Sequence, residues 1–310
     1  MTEFGRSTQA LFDALGSKDG ASAEVVRQLI EDGADLRALD SCGMTPLIRY
    51  LSDRGVMRMD AWNAYRACLR SWDTEGKARA AIESLLARVR RQDWEIVAMM
   101  LAHGADANAT WDSDSALHIA VQLPPDPREI RLILAAGANV SARNKAGATP
   151  LLLASRAGNP DVIRLLLEAG SDPLAATSAG ETALHFAWEP HTVRSLIDAG
   201  ADVNARDADR FTPLSSALSE RSSESIRLLM SAGSDPLAVG AFDRTALHCA
   251  AIDAACAEVF AALIEGGVDT RRKEAGGHTA LDIVRRMPDS YESVEEHAKI
   301  VRLLEHATRE

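Results

Sequence analysis

Apolar residues in this chain come in short bursts with helical spacing, and a glycine closes each burst. Val25-Val26-Arg27-Gln28-Leu29-Ile30, Val162-Ile163-Arg164-Leu165-Leu166-Leu167 and Ile226-Arg227-Leu228-Leu229-Met230 each predict the buried face of a short helix. The strings that close such helices are Gly33-Ala34-Asp35, Gly104-Ala105-Asp106, Gly137-Ala138-Asn139, Gly170-Ser171-Asp172, Gly200-Ala201-Asp202, Gly233-Ser234-Asp235 and Gly267-Val268-Asp269. A glycine there suits a left-handed helix C-cap, which residues with a Cβ avoid. A second series opens helices: Thr45-Pro46-Leu47, Ser115-Ala116-Leu117-His118, Thr149-Pro150-Leu151, Thr182-Ala183-Leu184-His185, Thr212-Pro213-Leu214, Thr245-Ala246-Leu247-His248 and Thr279-Ala280-Leu281. Thr or Ser supplies a cap hydroxyl, and Pro fits the first helical position. From Ser115 the opening series steps by 34, 33, 30, 33 and 34 residues; from Gly104 the closing series steps by 33, 33, 30, 33 and 34. Two series sharing one period, with the same short step, predict a tandem helix-turn-helix unit with an extended loop between copies.

On these strings the chain resembles the ankyrin-repeat family, whose 33-residue unit carries T-P-L-H-x-A. The resemblance covers about 270 of the 310 residues. It implies an all-α ankyrin-repeat solenoid of about eight helix-turn-helix units, a single array over residues 1–310. The first unit, 7–39, lacks the opening string and reads as an N-terminal capping repeat. The last, 274–310, reads as a C-terminal capping repeat. Its Ser293-Val294-Glu295-Glu296 has the form of a capping box, and Glu295, Lys299, Arg302 and Glu305 suit a polar outer face. Stacking at helix-packing distance would make a curved rod about 70–80 Å long.

Two departures stand out. Thr45 and Gly104 are 59 residues apart, where other repeats need 18 to 22, so 54–91 is an insertion in the second repeat. Trp62, Tyr65, Leu69 and Trp72 form one apolar stripe; Ile82, Leu85, Leu86 and Val89 form another, running on through Trp94, Ile96 and Val97. The pattern predicts a helical insertion whose second arm is continuous with the repeat helix. The second departure is the fifth repeat, three residues short, where Pro190 is expected to end the first helix.

Composition narrows the function classes. The net charge is −11, with +4 carried by residues 53–91 and −15 by the rest. That balance argues against nucleic acid or an anionic membrane as a general partner. No transmembrane span or secretory signal is visible, and four cysteines are too sparse for a disulfide framework, so a cytoplasmic protein is expected. The Ala-, Arg- and Asp-rich composition looks bacterial. His118, His185 and His248 occupy one position in three repeats, two repeats apart for each successive pair, about 20 Å, too far to share a metal ion. In ankyrin repeats the matching histidine satisfies polar groups between neighbours. There is no phosphate loop, H-E-x-x-H, G-x-S-x-G or kinase string, and no metal or cofactor is expected.

The family resemblance implies a function in binding another protein, as adaptor, inhibitor or immunity-type factor, by a chain expected to be monomeric. The partner would sit on the concave side, on the loop tips and on the exposed side of the first helices. Carried onto this sequence, the tips are Trp111, Asp112 and Asp114; Lys145; Ser178 and Glu181; Asp209, Arg210 and Phe211; Phe242 and Arg244; and His278. First-helix positions include Arg156, Trp188, Glu189 and Ile252. Three tip aromatics among only 14 in the chain fit binding hot spots. The alternative is an enzyme with a small-molecule pocket between the inserted helices and the concave face, lined by Trp62, Tyr65, Trp72 and Trp94 with Trp111.

Overall fold

A computed structural model describes residues 3–15, 22–52, 94–122, 125–218, 222–291 and 293–309. Trp62, Tyr65, Trp72 and the predicted helices of 54–91 lie outside the described residues. The chain divides into two compact units: Met1–Ala157 with Arg164–Ser171, and Gly158–Ile163 with Asp172–Glu310.

The first unit contains α1 (Glu3–Leu15), α2 (Ala23–Glu31), α3 (46–52), α4 (94–102), α5 (Ala116–Gln122), α6 (Pro127–Ala135) and α7 (Pro150–Ala157). Helix α1 begins ahead of the expected repeat start and packs on α2, so the first repeat is a full helix pair. Helix α5 packs on both α6 and α7, burying Leu117, Ile130, Ile133, Leu151 and Leu152 completely or nearly so. Trp94 is the first described residue of α4 and is half-buried. A two-residue hairpin, β1 (Thr110–Trp111) against β2 (Asp114–Ser115), precedes α5. Asp112 and Ser113 both take positive φ, 50° and 75°, the sign pattern of a type I′ turn.

Helix α8 (Pro160–Glu168) is divided between the units. The second unit continues with α9 (Ala183–Phe186), α10 (Pro190–Asp198), α11 (Pro213–Ser216), α12 (Ser223–Ser231), α13 (Ala246–Ile252), α14 (Ala257–Glu265), α15 (Ala280–Arg286) and α16 (Val294–Ala307). Contacts run α9 to α11 to α13 to α15 in one layer and α10 to α12 to α14 to α16 in the other. The amphipathic second helices bury Val193, Leu196, Ile226, Leu229, Phe260, Leu263, Ile300 and Leu304 between the layers. The closing glycines behave as the pattern predicts, with φ between 84° and 91° from Gly33 through Gly267.

Two local expectations need correction. Pro190 does not end the first helix of the fifth repeat. That helix stops at Phe186, and Pro190 opens α10, with the Glu189 carboxylate accepting from Thr192 N–H at 2.8 Å. Trp188 and Glu189 therefore lie past the first helix, in the connection. The Trp188 ring covers Gly158, where an added Cβ would fall 2.8 Å from it. The capping box at Ser293 is also only half made. Ser293 accepts from Glu296 N–H at 3.0 Å, but the Glu296 carboxylate turns away and accepts from Ala257 N–H at 2.6 Å. It caps the neighbouring helix α14, whose own cap residue, Cys256, makes no side-chain capping bond.

Candidate functional site

The repeat histidines show how one loop is fixed by the next. Backbone N–H groups of Ser115, Thr182 and Thr245 donate to Nδ1 of His118, His185 and His248 at 3.2, 3.1 and 3.3 Å. An amide can only donate, so Nδ1 carries no proton and Nε2 does. Nε2–H then donates to the carbonyl of Ala148, Phe211 or His278, one repeat on, at 3.0, 3.2 and 3.2 Å. Burial pushes all three pKa values below the ordinary one, which keeps the rings neutral. Both ring nitrogens are used in holding tips, leaving no lone pair for a ligand.

What they hold is a set of tight loops that turn on one backbone position. Two residues before each opening Thr or Ser, φ is positive: Gly43, Ser113, Gly147, Gly180, Arg210, Asp243 and Gly277. Four repeats meet this with glycine and three do not. The three exceptions carry Trp111, Phe211 and Phe242. A side chain in the left-handed region costs about 1–2 kcal/mol, so these loops spend backbone strain where the aromatic residues sit.

The aromatic residues are placed differently. Phe242 is 67% exposed, with its own φ at 58°. Its carbonyl accepts from Ala275 N–H at 2.8 Å, and the Arg244 guanidinium lies 5.1 Å from its ring centre. Arg244 also pairs with Glu274 at 3.7 Å, and Glu274 with His278 Nδ1 at 3.1 Å. The hydrogen bond to His278 holds the Glu274 carboxyl below its ordinary pKa. Phe211 does not stand free. It is half-buried over Gly240, where an added Cβ would lie 2.3 Å from the ring. In the first unit Trp111 is 38% exposed, its indole N–H donating to the Cys42 carbonyl at 3.2 Å. Lys145 pairs with Asp112, and Asn144 donates to Asp114 at 2.9 Å. Glu181 is half-buried and accepts from the Thr177 hydroxyl at 3.2 Å; Arg210 is exposed.

Phe211 forms part of a cleft of about 240 Å³ with Asp207, Ser215, Ser216, Arg244, Cys249, Ile252 and Asp253. Sequence reasoning named Phe211, Arg244 and Ile252 but missed Cys249 and the two carboxylates. The non-glycine residues at 210 and 243 were the available signal. Burial pushes the Cys249 thiol up to about 11, so it stays protonated and weakly nucleophilic. A larger cleft in the first unit, about 630 Å³, is lined by residues including Thr8, Phe12, Asp13, Leu39, Asp40 and Arg49; Arg49 pairs with Asp40 at 3.0 Å. Among the described residues no three His, Cys, Asp or Glu gather to hold a metal, and no helix is long and apolar enough to cross a membrane.

Comparison with known proteins gives two findings. Residues 126–207 match the model for ankyrin repeats, in three copies. A stretch of 61 residues is 46% identical to Protein lin-12 of Caenorhabditis elegans, covering 20% of this chain and only 4% of that protein's length.

Proposed function

We propose that this chain, which is an ankyrin-repeat protein, works by holding another protein against its loop tips and first-helix faces, as an adaptor, inhibitor or immunity-type factor. The family's general role in protein–protein interaction supports the coarse reading. One observation carries the placement: the Phe242 ring is 67% exposed on a left-handed backbone, flanked by Arg244. Water opposes that display, so a partner that covers the ring gains the apolar burial that folding leaves unmade, while the left-handed backbone holds the ring at the tip in both states. Exposed Trp111 offers a second apolar contact, and Arg210 and Lys145 offer charged ones at the rims. On this reading the chain is monomeric and cytoplasmic, forming one continuous array whose terminal repeats act as caps.

The test is capture of a partner from the native host with the intact chain, followed by affinity measurement with Phe242→Ala. The ring touches little of the core, so the melting curve is expected to stay unchanged while binding weakens by more than about 2 kcal/mol, the hot-spot scale. Unchanged affinity would remove Phe242 from the interface and leave the placement without support.

A further inference from the structure

The cleft beside Phe211 has a chemistry of its own. At about 240 Å³ it is smaller than the roughly 300–1,000 Å³ of sites for whole small molecules, and suits one long side chain. Phe211 and Ile252 form apolar walls, with Ser215 and Ser216 beside them. The Phe211 ring is fixed, because its backbone N–H donates to Asp207 at 2.8 Å, its carbonyl accepts from His185, and its face lies on Gly240.

Three charged groups line this space, and their balance decides what enters. Arg244 is already answered by Glu274 at 3.7 Å and by the Phe242 ring. Asp207 spends one carboxylate oxygen on the Phe211 N–H, which leaves its charge in place. Asp253, at the C-cap of α13, has no cation within ion-pair distance among the described residues. Partial burial raises its carboxyl above the ordinary range, with no neighbouring group offsetting that shift. The cleft is therefore an apolar slot with excess negative charge, on a chain whose net charge is −11.

We infer that this cleft takes a single Arg or Lys side chain from the protein partner, its aliphatic stem between Phe211 and Ile252 and its cationic head against Asp253 and Asp207. This inference rests on the protein-binding reading above and specifies the partner's chemistry at that site. Long cationic side chains bury their stems along apolar walls while the head finds a carboxylate, so one residue uses both features of the cleft. Arg244 works against a bare acid-rich site and for selectivity: its guanidinium marks one edge of the cleft and repels a cation placed at the wrong end.

The test uses blocked single residues as probes of the full-length protein. N-acetyl-arginine methylamide, N-acetyl-lysine methylamide, N-acetyl-glutamate methylamide and N-acetyl-norleucine methylamide are titrated while amide shifts are followed by NMR. The arginine or lysine probe is expected to move amides at 207–216 and 249–253, with the glutamate and norleucine probes at least about tenfold weaker. Asp253→Asn should weaken the cationic probe by about tenfold, and Asp253→Glu should restore most of it. Asp253 is on the surface, and an unchanged circular dichroism melt confirms that each variant is folded. A stronger response to glutamate, an equal response to norleucine, no response to any probe, or an unaltered Asp253→Asn titration would each overturn the inference. The broader reading is tested separately, by whether Phe242→Ala weakens partner binding. A partner whose binding is lost in Phe242→Ala but indifferent to Asp253→Asn would leave the tip surface standing without the cleft.

Discussion

The residues that set this molecule's behaviour are those whose local cost is met by a neighbour one repeat away. His118, His185 and His248 are buried and neutral, each accepting from its own repeat and donating to the next. Replacing His248 with Ala strands the Thr245 amide and the His278 carbonyl, and should cost about 1–3 kcal/mol in a denaturant titration. The same bonds give a pH signature. Burial lowers the folded pKa below the ordinary histidine value, about 6.5, so the unfolded chain takes up these protons first. The stabilisation is full above about pH 6.5 and declines as pH falls below it. Histidine-free variants should lose that part of the acid sensitivity; an unchanged slope between pH 7 and the onset of carboxylate titration, about pH 5, would contradict the assignment. Arg210 makes the opposite case. Its side chain is exposed and its φ is 66°, where four other repeats carry glycine. Arg210→Gly should raise stability by about 0.5–1 kcal/mol, the left-handed penalty less the added freedom of the unfolded chain. A loss of stability would mean that the arginine makes contacts worth more than the strain.

Between elements, the repeats are joined by bonds that depend on one position four residues after the closing glycine. Asn108 donates to the Gly137 carbonyl at 3.0 Å and accepts from Asn139 N–H at 2.7 Å; Asn204 makes the same pair with Gly233 and Asp235. In two repeats that position is Leu174 or Leu237, exposed by 56% and 52%. Neither leucine makes those bonds or buries its side chain. Leu237→Asn should therefore add a bridge to the following loop and stabilise the second unit by about 1 kcal/mol, read from the melting transition. No gain would show that the loop after α14 holds a different register from the loops that Asn108 and Asn204 reach. The short fifth repeat shows the same dependence. There α9 is a single turn, and Trp188 in the connection rests on Gly158. Glu296 is a third instance, spending its carboxylate on α14 rather than on its own helix.

At the scale of the whole molecule, charge and period divide the chain. Residues 53–91 carry +4 and the remainder −15. Deleting residues 56–90 and joining the ends by a short turn should leave the repeats folded, with equal or greater stability, because the interrupted repeat keeps both its helices, 46–52 and 94–102, and closes a shorter loop. Loss of cooperative melting in that variant would make the insertion part of the core. The sequence by itself determined the fold, because a repeat writes its rules many times over: the period, the glycine stops and the histidine position are local requirements restated from repeat to repeat. It also marked Trp111, Phe211 and Phe242 as the aromatics of the tips. It did not separate the ring that stands in solvent from the ring that lies on Gly240, since a sequence gives position along a loop and not which side of it a side chain takes. Nor did it bring Asp207 and Asp253 to one cleft. They are 46 residues apart, and only the stacking of one repeat on the next, which the period implies but does not draw, makes them neighbours.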